Sequence, residues 1–232
     1  MSTAQLRIDT ARALPLDPPL EASEKSAPYA RVIAEICDLN WSVLSRDELV
    51  DVAWAYYFFS VQFCENVGIA RRLYPDDKRL EELDHGERDT DNLSPCPGVV
   101  SVGERVDHDE FMRRALTLEP IEDSRRRRLL TIGSAYLEKV RATDDETRAL
   151  SLPTYEDGGL ENVFRSILRA KVWDGPLLGA FNHFLVGHIA LDSDPDKGHG
   201  SLCRHLPPNA QVFELWMAFK QSLVAAAPVL AR

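Results

Sequence analysis

The chain has 232 residues, of which 44% are hydrophobic and 28% charged, and its formal net charge is −10. This length supports one sizeable core and favours one domain over two. Nucleic acid is not an expected partner, because a polyanion requires a clustered basic face. The single basic run, residues 125–128, is interpreted as the solvated start of a helix rather than a phosphate site.

The four cysteines form no CxxC pair, and the first twenty residues contain no apolar signal-peptide core. Both features predict a cytoplasmic protein with reduced thiols. The most apolar stretch, residues 52–64, has charges on both sides and is shorter than the roughly 20 residues that span a membrane. We therefore expect a buried helix there and no membrane partner. For the oligomeric state, the alternatives are a monomer and a homodimer.

Taken in chain order, residues 1–27 lack a periodic apolar face and predict an arm or a disordered tail before a helical domain over 28–232. Apolar residues then recur at helical spacing, and no alternating strand pattern occurs. The fold class is predicted to be all-α with seven or eight helices. These helices are expected near residues 29–44, 45–74, 76–86, 108–118, 124–142, 159–173, 176–192 and 209–231.

Residues 87–106 contain two prolines, two glycines and little periodicity, which predicts a long loop. Long loops in compact domains are often functional or mobile. We expect this loop to contribute few side chains to the hydrophobic core. We also expect it to be mobile and to become ordered when metal or substrate binds.

The helix over 176–192 contains a candidate site. His188 and Asp192 are four residues apart and share a face, offset by about 40°. Apolar neighbours surround the pair, so it must be hydrogen-bonded, ion-paired or metal-bound, or it is a simple pair near a helix end. A further imidazole, His199, follows the turn after this helix.

Three other segments offer ligands of matching type. Glu82 and His85 are three residues apart, the Glu-x-x-His spacing of di-iron bundles, which is also common on solvated helices. His108 lies in a first helical turn, where the helix dipole favours the neutral ring. Glu161 adjoins an apolar stripe, but it lies four residues before Arg165 and the two can form a simple ion pair.

These segments resemble one known family, the heme-oxygenase-like di-metal oxidases. EELDHGE is similar to the family's first glutamate with its glycine-rich turn, DHDEFMRRAL to its histidine helix, GLENVF to its second glutamate, and HIALD followed by HG to its last ligand helix. The resemblance covers about residues 50–200. It implies a seven-helix, heme-oxygenase-like bundle that binds two irons in place of heme.

Carried over residue by residue, the resemblance implies six metal ligands: Glu82, His108, Glu161, His188, Asp192 and His199. Oxygen and imidazole donors suit Fe(II) or manganese better than thiophilic metals. Asp192 and His199 are farther apart than in the family, so Asp194 or Asp196 is an alternative to Asp192. His85 is likewise an alternative to His108.

The implied activity is that of a non-heme di-iron oxidase that consumes O2. It binds two Fe(II) per chain and oxidises a small amino-acid-like or carboxylate substrate by N-oxygenation, desaturation or oxidative C–C cleavage, in natural product biosynthesis. Arg165 and Arg169 are candidates for binding the substrate carboxylate. Two rivals remain: a cofactor-independent thiaminase-type enzyme using Cys64 and Glu65, and a metal-free helical binding protein.

Overall fold

The computed structural model of the protein describes residues 27–192 and 199–231, and for Asp192 it describes the backbone alone. Within these ranges the chain forms α-helices, two 3-10 helices and isolated bridges, with no β-strand, so the all-α prediction is confirmed. The α-helices are α1 (Pro28–Cys37), α2 (Arg46–Leu73), α3 (Lys78–Glu87), α4 (His108–Ala115), α5 (Asp123–Arg141), α6 (Asp145–Leu150), α7 (Leu152–Glu156), α8 (Gly159–Ile167), α9 (Pro176–Asp192), α10 (Gly200–Cys203) and α11 (Val212–Ala226). The 3-10 helices are Trp41–Val43 and Pro228–Ala231.

The eight helices expected from periodicity are all present, and the structure adds three short ones, α6, α7 and α10. The first predicted helix is shorter than expected because α1 ends at Cys37 and a 3-10 turn follows. The predicted arm lies outside the described residues except for Ala27, and α1 begins at Pro28. Among the described helices, none has both the length and the apolar character needed to cross a membrane.

The long helix α2 is the centre of the fold. Its N-terminus is fixed by a capping box, in which Glu48 N donates to Ser45 Oγ at 3.3 Å and Ser45 N donates to Glu48 Oε2 at 2.8 Å. Apolar residues occur around its whole circumference, and they pack against α3, α4, α5, α6, α9 and α11. This confirms the prediction of a buried central helix.

The basic run at 125–128 lies in the first two turns of α5, as expected for a helix start. Two of its arginines have a structural role, because Arg125 and Arg128 both bind the buried carboxylate of Asp51 on α2. Arg126 and Arg127 are exposed. The run therefore joins α5 to α2 and does not form a continuous basic surface.

The prediction that the loop over residues 87–106 contributes few side chains to the hydrophobic core is wrong. Five of its apolar side chains are buried: Leu93, Cys96, Val99, Val100 and Val106. Antiparallel bridges join Thr90 to Val106 and Cys96 to Val100, so that the loop closes on itself. The sequence has no helical or strand period here, but the loop still contributes to the core and approaches the candidate site through Asn92.

Candidate metal centre

Glu87, at the last position of α3, is the central residue of the candidate site. Leu80, Leu83 and Glu87 follow one another at spacings of three and four residues and form the buried stripe of α3. The Glu87 side chain is only 4% exposed, so its carboxylate requires compensating partners. Both of its oxygens have such partners, each an imidazole.

His108 is the first of these partners. It begins α4, and its Nδ1 lies 2.6 Å from Glu87 Oε2. The other ring nitrogen, Nε2, lies 3.2 Å from Asn92 Oδ1 in the preceding loop. The loop therefore fixes the orientation of the ring through its second nitrogen, an arrangement common among metal-binding histidines.

His188 approaches from α9. Its Nδ1 donates to the carbonyl oxygen of Phe184 at 2.8 Å, which leaves the Nε2 lone pair directed at His108 Nδ1, 3.2 Å away. Burial, with His108 nearby, lowers the pKa of His188 to about 3. His188 is therefore a neutral imidazole with one nitrogen available to a cation.

His199 and Glu156 complete the site from the two short helices that periodicity did not predict. Glu156 ends α7, and His199 immediately precedes α10. His199 Nδ1 lies 2.7 Å from Glu87 Oε1 and 3.5 Å from Glu156 Oε2. All three side chains are less than 10% exposed, and the three ligand atoms lie within 4.8 Å of one another.

The charges of these groups are strongly coupled. Burial by itself raises the pKa of Glu87, but His108 and His199 outweigh it and hold that pKa well below its ordinary value. Burial and the negative charge of Glu87 raise the pKa of Glu156, although the hydrogen bond from His199 acts in the opposite direction. Burial disfavours a charged His199, yet the two carboxylates raise its pKa to about 11. Without a metal, a proton on His199 therefore compensates the buried carboxylates.

We call Glu87, His108, Glu156, His188 and His199 the buried cluster. Glu87 divides it into two subsites: subsite 1 contains Glu87 Oε2, His108 Nδ1 and His188 Nε2, and subsite 2 contains Glu87 Oε1, Glu156 Oε2 and His199 Nδ1. If His108 Nε2–H donates to Asn92, three electron pairs converge in subsite 1 with no hydrogen between them. Such an arrangement requires a proton or a cation, so the residues present fit a metal ion.

The donor set contains oxygen and imidazole nitrogen. Cys203 is the thiol nearest in the chain to His199, and its Sγ contacts the His199 carbonyl oxygen at 3.7 Å. Burial raises the pKa of Cys203 well above its ordinary value, and Glu156 adds to this effect, which disfavours the thiolate that metals bind. The cluster is therefore suited to iron or manganese rather than to a thiophilic metal.

The structure brings three of the six sequence-predicted ligands into the buried cluster: His108, His188 and His199. It does not bring Glu82 there, because Glu82 is exposed and lies about 140° around α3 from Glu87. His85, the alternative to His108, is exposed on the same helix. Asp192 ends α9, but its side chain lies outside the described residues, as do Asp194 and Asp196.

Glu161 is also outside the cluster. It lies in the first turn of α8, where it accepts a hydrogen bond from Arg165 Nε at 2.9 Å, one turn further along. The ion-pair alternative is therefore what the structure contains, and the expectation that Glu161 and His188 meet at one centre is not met. Arg169, the second candidate for substrate binding, donates to the carbonyl oxygen of Cys37.

Cys64 and Glu65, considered for a thiaminase-type reaction, have other surroundings. Burial, together with Asp109 and Glu87, raises the pKa of Cys64 well above its ordinary value, which disfavours a nucleophilic thiolate. Glu65 accepts hydrogen bonds from Arg148 at 2.7 Å and from Arg141 at 3.2 Å. Against the effect of burial, these arginines lower the pKa of Glu65, so it remains a charged structural carboxylate.

Sequence reasoning missed Glu87 and Glu156. Glu87 had a usable signal, because it continues the spacing of Leu80 and Leu83 and is thus a carboxylate on an apolar stripe. Glu156 had a weaker one, since it ends the otherwise uncharged stretch SLPTYE, two residues before the glycine pair at 158–159. Comparison of the chain with protein-family models, curated proteins and solved structures found no match.

Proposed function

We propose that the buried cluster binds two metal ions and that both are Fe(II). The protein would then be an O2-dependent oxidase of a small amino-acid-like or carboxylate substrate. The observation that carries the proposal is the placement of Glu87, whose two carboxylate oxygens each contact a different imidazole-bearing subsite. A carboxylate placed between two subsites would offer one oxygen to a metal ion in each.

Membership of the heme-oxygenase-like di-metal oxidases is part of this proposal. This part of the proposal is supported by the all-α fold and by the position of three predicted histidines in one buried cluster. The two glutamates differ from the residues that the motifs suggested, but each remains in the expected region of the chain. The type of oxidation, whether N-oxygenation, desaturation or C–C cleavage, depends on a substrate that the buried cluster does not specify.

Bound Fe(II) would supply the electrons with which O2 is reduced. The chain's own residues have simpler roles. Phe184 O and Asn92 Oδ1 hold the rings of His188 and His108 in fixed orientations, and the low pKa of His188 keeps that ring neutral at physiological pH. The burial of all five side chains excludes water and strengthens every electrostatic contact inside.

Anaerobic titration of the metal-free protein with Fe(II) tests the proposal. We expect about two equivalents to bind, and a proton to be released as metal replaces the one at His199. The complex should then consume O2. Binding of less than one iron per chain, or binding without proton release, would contradict the two-subsite interpretation.

The chain offers matched control positions for the two glutamates. Glu87→Gln keeps the shape of the side chain but removes the shared charge, and we expect metal affinity to fall at least about 100-fold at both subsites. Glu82→Gln, on the exposed side of the same helix, should leave affinity unchanged. Glu156→Gln and Glu161→Gln form a second pair, with loss expected for Glu156 alone.

His199→Ala separates the subsites. This substitution removes a donor from subsite 2 and leaves His108 and His188 in place, so iron occupancy should fall towards one per chain. His188→Ala should lower iron occupancy at least as much, because it removes the neutral donor of subsite 1. If His199→Ala retains full two-iron loading and undiminished O2 consumption, subsite 2 is not a metal site.

A further inference from the structure

A cavity of about 550 Å³ lies outside the buried cluster, between α1 and α8. Its size is within the range of small-molecule binding sites. Thr154 and Asp157 line it, whereas Glu156, on the same stretch of chain, is in contact with His199 in the buried cluster. The cavity and the cluster therefore share α7 as a wall but are separate sites.

The α1 wall of the cavity is apolar. Tyr29, Ile33 and Cys37 follow one another every four residues and so form one stripe along the helix, beside a second stripe of Ala30 and Ala34. The two alanines are short, and their size leaves room between the helices. This wall suits a hydrocarbon or aromatic body.

The facing wall, on α8, is polar and cationic. Asn162, Arg165 and Ser166 share one face of that helix and line the cavity, and Arg169, two residues past the end of α8, lines it too. Arg165 is paired with Glu161, but Arg169 donates to main-chain carbonyl oxygens, those of Cys37 and Ser166. Within the described ranges no carboxylate forms an ion pair with Arg169.

The cationic wall occurs in a chain whose net charge is −10. At the edge of an apolar cavity, a guanidinium that pairs with no carboxylate of the described residues favours an anionic group, and its planar donors match a carboxylate. We propose that this cavity binds a small molecule with an apolar body and a terminal carboxylate, and that Arg169 binds the carboxylate while α1 contacts the apolar body.

Cys37 provides a reporter for this site. It lines the cavity and is half-buried, whereas Cys64, Cys96 and Cys203 are buried. The experiment measures the rate at which a thiol reagent modifies Cys37 in the full metal-free chain, by peptide mass spectrometry, at increasing decanoate concentration. Decanamide, the neutral analogue, is the matched ligand control. Iron is not required, so the outcome is independent of the proposed oxidase function.

We expect decanoate to protect Cys37 with saturation and decanamide to protect it only at about tenfold higher concentration, as the loss of one charge-assisted hydrogen bond implies. Arg169→Gln should raise the half-protecting decanoate concentration about tenfold and leave that of decanamide unchanged. The half-protecting concentration is compared because Arg169 contacts the Cys37 carbonyl and its loss can change the basal rate.

Arg127→Gln is the control variant, since Arg127 is exposed on α5 and does not line the cavity. It should behave as the unaltered chain. Equal protection by decanoate and decanamide would reduce the cavity to an apolar pocket and overturn the proposal. It would also be overturned if decanoate gave no protection, or if Arg169→Gln left the half-protecting decanoate concentration unchanged.

Discussion

The His199 ring lies against the backbone of Gly86, so closely that a Cβ placed on Gly86 would be 2.8 Å from His199 Nε2. Gly86 directly precedes Glu87, whose Oε1 is 2.7 Å from the other ring nitrogen of His199. The missing side chain at Gly86 thus provides the space in which His199 reaches Glu87. A glycine inside α3 disfavours the helix, and this contact gives a reason for its presence.

Gly86→Ala should therefore weaken metal binding. The new methyl group must displace the His199 ring from Glu87, and we expect an affinity at subsite 2 at least about tenfold lower, comparable to the loss of a supporting contact. Competition with a chromophoric chelator measures it. Gly179→Ala is the control, because nothing lies within 4 Å of a Cβ at that position of α9. Unchanged metal affinity in Gly86→Ala would contradict the proposed role of His199.

Asn92 should matter for metal binding although it is a loop residue. Its Oδ1 is 3.2 Å from His108 Nε2 and orients the ring whose Nδ1 faces Glu87. Asn92→Leu removes this acceptor, and we expect metal affinity at subsite 1 to fall about 10-fold to 100-fold. Asn92→Asp preserves an acceptor and should retain affinity. Equal losses in both variants would indicate a packing effect of the loop instead.

Stability of the metal-free protein should fall as the pH rises above neutrality. The folded chain raises the pKa of His199 from 6.5 to about 11, so the stabilising contribution of this group is complete below 6.5 and is lost towards 11. Its share of the slope is at most about 1.4 kcal/mol per pH unit. Urea unfolding between these limits measures the free energy of unfolding.

His199→Gln should reduce that slope, since the variant has no ring to hold the proton. His85→Gln, at an exposed position of α3, is the control and should retain it. An unchanged slope in His199→Gln would show that other groups cause the alkaline loss of stability. When Fe(II) is added to the unaltered chain, stability should rise with pH instead of falling, because deprotonation of His199 favours metal binding.

Gly133→Ala should destabilise the fold without affecting the metal site directly. A Cβ at Gly133 of α5 would lie 2.1 Å from Phe58 Cδ2 on α2, inside the packed core. Overpacking of this kind typically costs about 1–3 kcal/mol. At Gly179, by contrast, alanine should be neutral or stabilise the helix by about 0.5–1 kcal/mol. Chemical denaturation midpoints of the two variants compare these effects, and a neutral Gly133→Ala would contradict the close packing of α5 on α2.

The sequence by itself determined the helical class and the eight longer helices, because an apolar stripe that recurs every three or four residues reports the burial of one helix face. It also indicated three residues of the candidate site. His188 was singled out by its apolar neighbours, His108 by its place in a first helical turn and His199 by the family resemblance, and all three lie in the buried cluster.

The tertiary structure decided which carboxylates complete the cluster. Glu82 and Glu87 belong to the same helix, and local motif similarity favoured Glu82, but only Glu87 continues the stripe that packs inward. Glu156 and the residues after His199 form helices too short for a detectable period, so their positions depend on contacts with distant parts of the chain. The close approach of His199 to Gly86 joins residues far apart in sequence, and no local pattern specifies such a contact.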